Sequence, residues 1–167
     1  MNRLFSQSAA NSALAILVLG FATIAGAWIF ERVGYPPCDL CLEQRTAYYV
    51  GVPLAALIFV LARAGVSGAL LRIGLAILAL IFAANMILAI YHSGVEAQLW
   101  KGPTACTGTG LAPGDATDLL KQLQTTKVVR CDAVSLRVFG LSLANWNIFI
   151  SATLAALGAR AAVMRAR

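Results

Sequence analysis

Four cysteines are the residues of this chain best suited to chemistry, and they fall into two sets. Cys38 and Cys41 form the motif Cys38-Asp39-Leu40-Cys41, while Cys106 and Cys131 are separated by 24 residues. The two-residue spacing sets both thiols on one helical turn, where they can close reversibly, and a helix N-terminus there stabilises a thiolate. At about 100° per residue, Cys38, Cys41 and Arg45 fall within an arc of about 60°, with Asp39 and Glu43 pointing away. One face thus carries two sulfurs and a cation. Arg45 in the first turns of a helix opposes the macrodipole at a cost of roughly 0.3–1 kcal/mol, so it requires a compensating anion such as a thiolate. An arginine snorkelling to lipid phosphate is the structural alternative. Cys41, one turn before Arg45, favours the redox reading.

The elements that must hold these residues are membrane spans. Of 167 residues, 60% are hydrophobic and 12% charged, against roughly half apolar and one quarter charged in a soluble domain. Residues 13–30, 48–62, 73–91 and 143–159 contain no charge, and each run approaches the ~20 residues needed to cross the hydrocarbon core. The chain therefore reads as one all-α domain over 1–167, a four-helix membrane bundle with spans at about 10–30, 41–62, 72–91 and 143–163. External loops cover about 31–40 and 92–142.

The net charge of +6 has a topological origin. The N-terminus, the connection between spans two and three, and the C-terminus hold Arg3, Arg63, Arg72, Arg160, Arg165 and Arg167 with no acidic residue; the remaining seven cations and seven carboxylates balance on the other side. The positive-inside rule puts the arginine side, with both termini, in the cytoplasm. This distribution argues for membrane lipid and against nucleic acid as the basic surface's partner. Ala25-Gly26-Ala27 resembles a signal cleavage site, but the uncharged stretch from Leu4 to Phe30 is longer than a usual signal core.

All four cysteines then lie on the external side, two in each loop, which suits an oxidising compartment. Pro36-Pro37 favours a turn and then a helix start near Cys38. The second external loop is far longer than a connection requires, which marks it as functional. Within it, residues 115–125 carry leucines at helical spacing, and 134–141 are apolar enough to lie on the membrane surface. Trp28, Tyr48, Tyr49, Tyr91 and Trp146 fall near the external span ends as an interfacial belt. Asn85 inside span three suits a hydrogen bond between helices, and Pro53 suits a kink in span two.

Uncharged residues resume directly after Arg45, so the Cys38–Cys41 pair sits at the membrane boundary, where a lipid-soluble oxidant is met. Cys106 and Cys131 lie in the aqueous loop beside Gly102, Pro103 and Gly108, within reach of a soluble partner. Thiol–disulfide exchange between the pairs makes a relay: a partner thiolate attacks the loop disulfide, the resulting dithiol reduces Cys38–Cys41, and that pair passes two electrons onward. Inert bracing fits less well, since a disulfide between residues three apart closes too small a loop to stabilise much. No metal site is expected, because the second cysteine pair lacks short ligand spacing and His92 would have to leave the interface to contribute.

Pro37-Cys38-Asp39-Leu40-Cys41 followed by Gln44-Arg45, then Tyr91-His92, Cys106, Cys131 and Gly140-Leu141-Ser142 before the last span, resembles the disulfide-bond formation protein B (DsbB) family from the first span to the last. The resemblance implies a quinone-dependent protein-disulfide oxidoreductase in the bacterial inner membrane, with its cysteine loops in the periplasm. It implies ubiquinone or menaquinone, drawn from the membrane pool, bound near Cys41 and Arg45, and a periplasmic thioredoxin-fold protein of DsbA type as electron donor. By the same resemblance Cys41 faces the quinone, Cys38 exchanges with Cys131, and Cys106 forms the mixed disulfide with the donor. His92 enters the cofactor set because quinone reduction consumes two protons and histidine titrates near neutrality. Two other readings compete: a vitamin K epoxide reductase-like enzyme, whose active CxxC lies late in the chain, and a non-catalytic membrane protein with structural disulfides.

Overall fold

The four apolar runs become helices longer than the runs themselves. In the computed structural model, which describes residues 2–66, 68–103 and 130–164 with side chains from Phe5 onward, α1 spans Asn2–Arg32, α2 Asp39–Arg63, α3 Gly68–Glu96 and α4 Leu143–Val163. All four are long and apolar enough to cross a membrane, and the protein is a multi-pass membrane bundle. α3 packs most extensively on α4 and α1 on α2; α2–α3 and α1–α4 contacts close the ring.

Side chains sort by their solvent. Ala9, Ala13, Ile16, Leu75, Leu78, Phe82 and Leu154 fill the interior, while Val18, Phe21, Ile29, Val60, Leu80 and Ile87 remain exposed on the outside. In water such a surface would associate; against acyl chains it is the ordinary solvent-facing side. Small residues allow close approach between helices. A Cβ at Gly158 would lie 3.0 Å from the Leu75 carbonyl oxygen, so α4 meets the α3 backbone there. Asn85 on α3 donates to Ser151 Oγ on α4 at 2.9 Å, the interhelical bond its position suggested. Pro53 is accommodated inside α2 without ending it.

The end of the bundle that carries the site is shaped by two helix starts. Cys38 is the N-cap of α2, with extended backbone and its sulfur accepting from the Cys41 N–H at 3.3 Å. Ser142 caps α4, its hydroxyl accepting from the Asn145 N–H at 3.2 Å. Before α4 comes a short antiparallel hairpin, β1 Arg137–Val138 with β2 Leu141–Ser142. Its two turn residues, Phe139 and Gly140, have φ of 52° and 83°, as the twist-matched two-residue hairpin turn requires. The segment 134–141, expected on the membrane surface, thus folds partly into this hairpin, with Phe139 almost fully exposed at its tip. Trp146 ties the hairpin to α4 by donating its indole N–H to the Val138 carbonyl at 3.0 Å. The expected helix at 115–125 lies outside the described residues.

Candidate active site

Cys38 and Cys41 are both free thiols, with sulfurs 2.7 Å apart. Closing them into a disulfide needs only a small further approach. The two nevertheless face different surroundings. Cys38, with its extended N-cap backbone, shares a buried cluster with Leu40, Val95 and Cys131. Cys41, a turn further on, packs against the edge of that same cluster and is the one of the two that also lines a cavity of about 310 Å³ between α1, α2 and α4. Helical phase put both sulfurs on one face, and they do meet; the pair also lies between the buried cluster of the loop cysteine and the cavity.

Cys131 is 1% exposed and disulfide-bonded. Cys106 lies outside the described residues. The hydrogen-bonding contact with the Cys41 sulfur, reinforced by burial, pushes the Cys38 thiol above the ordinary cysteine range, and His92 offsets this only in part.

The cavity wall is mostly apolar, formed by residues such as Ile24, Phe30, Leu143 and Ile150, and its polar lining includes Cys41, Gln44, Arg45, His92 and Asn147. Its volume lies at the lower end of small-molecule sites.

Arg45 lines this cavity, and its anion is a carboxylate that sequence reasoning did not assign. Its Nη1 lies 2.5 Å from Glu31 Oε2 at the end of α1, and its Nη2 donates to the Ala27 carbonyl at 3.4 Å. The guanidinium side chain is 11% exposed and the carboxylate 44%. Arg45 is therefore anchored across α1 and α2 while one side looks into the cavity.

His92 is not the interfacial side chain its position at the span end suggested. It is 3% exposed, because α3 continues past it to Glu96 and keeps its ring inside the bundle. Nε2 lies 3.6 Å from Cys38 Sγ and 3.9 Å from Glu96 Oε1. The other nitrogen ends a buried chain of directed hydrogen bonds. The Tyr48 hydroxyl donates to Asn147 Oδ1 at 2.5 Å, Asn147 Nδ2 donates to Gln44 Oε1, and Gln44 Nε2 meets His92 Nδ1 at 2.8 Å. With both amides oriented by this chain, Gln44 can only donate to Nδ1. In the neutral ring the proton then sits on Nε2, facing the sulfur of Cys38. Ser151 and Asn85 extend the chain into the bundle.

Tyr48, Asn147, Glu31 and Glu96 are thus residues of the site that motif reading missed, and Gln44, quoted within the motif, was given no role there. Tyr48 had the look of a belt aromatic, yet it is 3% exposed. The signal available in sequence was three polar residues, Asn145, Asn147 and Ser151, opening an otherwise apolar span. Polar groups inside a membrane helix are costly unless they find partners. Cys38, Cys41 and His92 also bring three metal-ligand atoms within 4.8 Å of one another.

A membrane four-helix bundle that presents a free dithiol between a buried loop cysteine and a cavity belongs to the class of membrane thiol–disulfide redox proteins. The family model for "Disulfide bond formation protein DsbB" matches residues 9–161, and the chain belongs to that family. No curated protein and no solved structure matches it significantly. Family membership makes the protein a disulfide oxidoreductase of the membrane.

Proposed function

We propose that the protein reoxidises a periplasmic thioredoxin-fold protein of DsbA type and delivers the electrons to ubiquinone or menaquinone in the cavity beside Cys41 and Arg45. The observation that carries this reading is the division of labour in the CxxC pair: Cys38 shares a buried cluster with Cys131, while Cys41, packed against that cluster's edge, is the one of the two that lines the cavity. Electrons entering at the loop disulfide have a sulfur to attack on one side and an exit on the other.

The exchange steps balance as thiol–disulfide chemistry. A donor thiolate attacks Cys106, breaking the Cys106–Cys131 bond and forming a mixed disulfide. The donor's second thiol resolves it, leaving the donor oxidised and the loop pair reduced. Cys131 then attacks Cys38 of the Cys38–Cys41 disulfide, releasing Cys41 as a thiolate toward the cavity. Cys106 resolves that second mixed disulfide, so the loop pair is oxidised again and Cys38–Cys41 is a dithiol.

A bound quinone supplies a two-electron, two-proton acceptor. Cys41 is the sulfur placed to meet it, Arg45 supplies a fixed positive charge at the cavity, and His92 holds a proton at Nε2 beside Cys38. Gln44 and Asn147 keep His92 in that orientation. By the arginine distribution the cysteine loops are periplasmic and both termini cytoplasmic.

Anaerobic mixing of detergent-purified protein with a reduced thioredoxin-fold donor and a short-chain quinone tests the reading. One quinol per donor dithiol consumed, with a mixed disulfide trapped at Cys106, is expected. Donor oxidation without quinol would move the electron exit elsewhere.

A further inference from the structure

The residues that carry the redox chemistry also form a three-ligand metal site, and nothing in the electron relay uses it as one. Cys38 Sγ, Cys41 Sγ and a ring nitrogen of His92 lie within 4.8 Å of one another, behind the mouth of a cavity that Cys41 and His92 both line. We propose that the reduced protein binds one thiophilic divalent cation, of the zinc or cadmium kind, through Cys38, Cys41 and His92, and that this ion holds the enzyme in its dithiol state.

The geometry is close to what such an ion demands. Tetrahedral zinc holds sulfur at about 2.3 Å and imidazole nitrogen at about 2.0–2.1 Å, which puts a sulfur and a nitrogen ligand about 3.6 Å apart. Cys38 Sγ and His92 Nε2 are separated by 3.6 Å. The two sulfurs, now 2.7 Å apart, must open to about 3.8 Å for two bonds of that length at the tetrahedral angle. Half-buried Cys41 borders the cavity and has the room to do so. Cys38 caps helix α2 and Cys41 lies in its first turn, so the two sulfurs converge at one helix start.

Chemistry makes the site specific to one redox state. Binding breaks two S–H bonds and the Nε2–H bond of His92, forms two metal–sulfur bonds and one metal–nitrogen bond, passes the ring proton to Nδ1 as the Gln44 amide turns to accept it, and releases two protons to solvent, with no electrons moved. Two thiolates then neutralise the dication, so the buried complex carries no net charge. A Cys38–Cys41 disulfide offers no thiolate and cannot form it. With the metal in place neither sulfur can attack or donate, so the ion acts as a dead-end ligand of the reduced enzyme. The inference does not depend on which oxidant occupies the cavity.

The test uses full-length protein with Cys106→Ser and Cys131→Ser, so that only the proximal pair can bind. After reduction and anaerobic removal of reductant, cadmium titration should produce the ultraviolet thiolate-to-cadmium absorption with a break at one equivalent. The oxidised protein should give none. His92→Ala should weaken binding by at least about ten-fold, the loss that even an outer-shell partner commonly causes. X-ray absorption on the zinc-loaded protein with His92 in place reads the shell without relying on that variant: two sulfurs and one imidazole are expected. A sulfur-free or imidazole-free shell, equal binding by oxidised protein, or unchanged affinity in His92→Ala would overturn the proposal.

Discussion

Gln44 Nε2 lies 2.8 Å from His92 Nδ1, a buried contact between α2 and α3 that fixes which way the single histidine of the chain points its proton. The orientation is inherited from Tyr48 and Asn147 rather than chosen locally. The orientation of the ring beside Cys38 is thus supported by three residues of α2 and α4.

Because the chain has one histidine, its tautomer can be read directly by nitrogen NMR of histidine-labelled protein. The Nε2–H form is expected in the natural sequence, and Gln44→Leu should abolish the preference. That variant also strands Asn147 Nδ2 and His92 Nδ1 without partners, at a cost on the order of 1–3 kcal/mol for each buried group. A predominant Nδ1–H form in the natural protein would reverse the polarity assigned to the chain.

Substitutions at Arg45 and Glu31 are expected to separate quinone affinity from donor affinity. Arg45→Ala should raise the apparent KM for quinone more than that for the protein donor, since the guanidinium lines the cavity. Glu31→Gln should leave Arg45 in place and shift the quinone KM by no more than about five-fold, because a half-exposed ion pair is worth roughly 0.2–1 kcal/mol. A larger effect on the donor KM than on the quinone KM in Arg45→Ala would take Arg45 out of the cofactor site.

The raised Cys38 thiol gives a pH signature. Its leading cause is the contact with Cys41, followed by burial. A raised thiol stays protonated, and therefore unreactive, further into alkaline pH. In the reduced protein, Cys38 alkylation followed by peptide mass spectrometry should keep rising beyond the ordinary cysteine value of about 8.5. Cys41→Ala removes the leading cause, so its curve should move to lower pH. Coincident curves would contradict the assignment.

Helix packing is tested at Gly158. A side chain there meets Leu75 O at 3.0 Å and Ala79 N at 3.1 Å, both backbone atoms that cannot rotate away. Gly158→Val should lower the melting temperature in detergent, with an overpacking cost of about 1–3 kcal/mol. Gly26→Ala, where a Cβ meets nothing within 4 Å, should leave it nearly unchanged. Equal melting of the two variants would sink the packing account.

The bundle was legible in the sequence because charge is excluded from a span along its whole length, a signal that survives without knowledge of packing. The CxxC motif and Arg45 were legible for a similar reason: they are local, on one helix. What the sequence concealed was contact between helices. His92 could be placed at a span end, but only the extension of α3 to Glu96 shows that its ring turns inward. Glu31 is 14 residues from Arg45 and Asn147 is 103 residues from Gln44, so neither pairing has a periodicity to betray it. Cys38 was assigned to the same face as Cys41 by helical phase, and the two sulfurs do meet at 2.7 Å, although Cys38 is held there by an extended N-cap backbone and not by a helical one.

The relay rests on Cys41 being the exit. The most direct measurement is anaerobic stopped-flow absorbance of quinol formation when reduced donor and quinone meet the natural protein or its Cys41→Ser variant. The natural protein should form quinol, and Cys41→Ser should form none while retaining donor exchange at the loop cysteines. Quinol formation by Cys41→Ser at the natural rate would contradict the account.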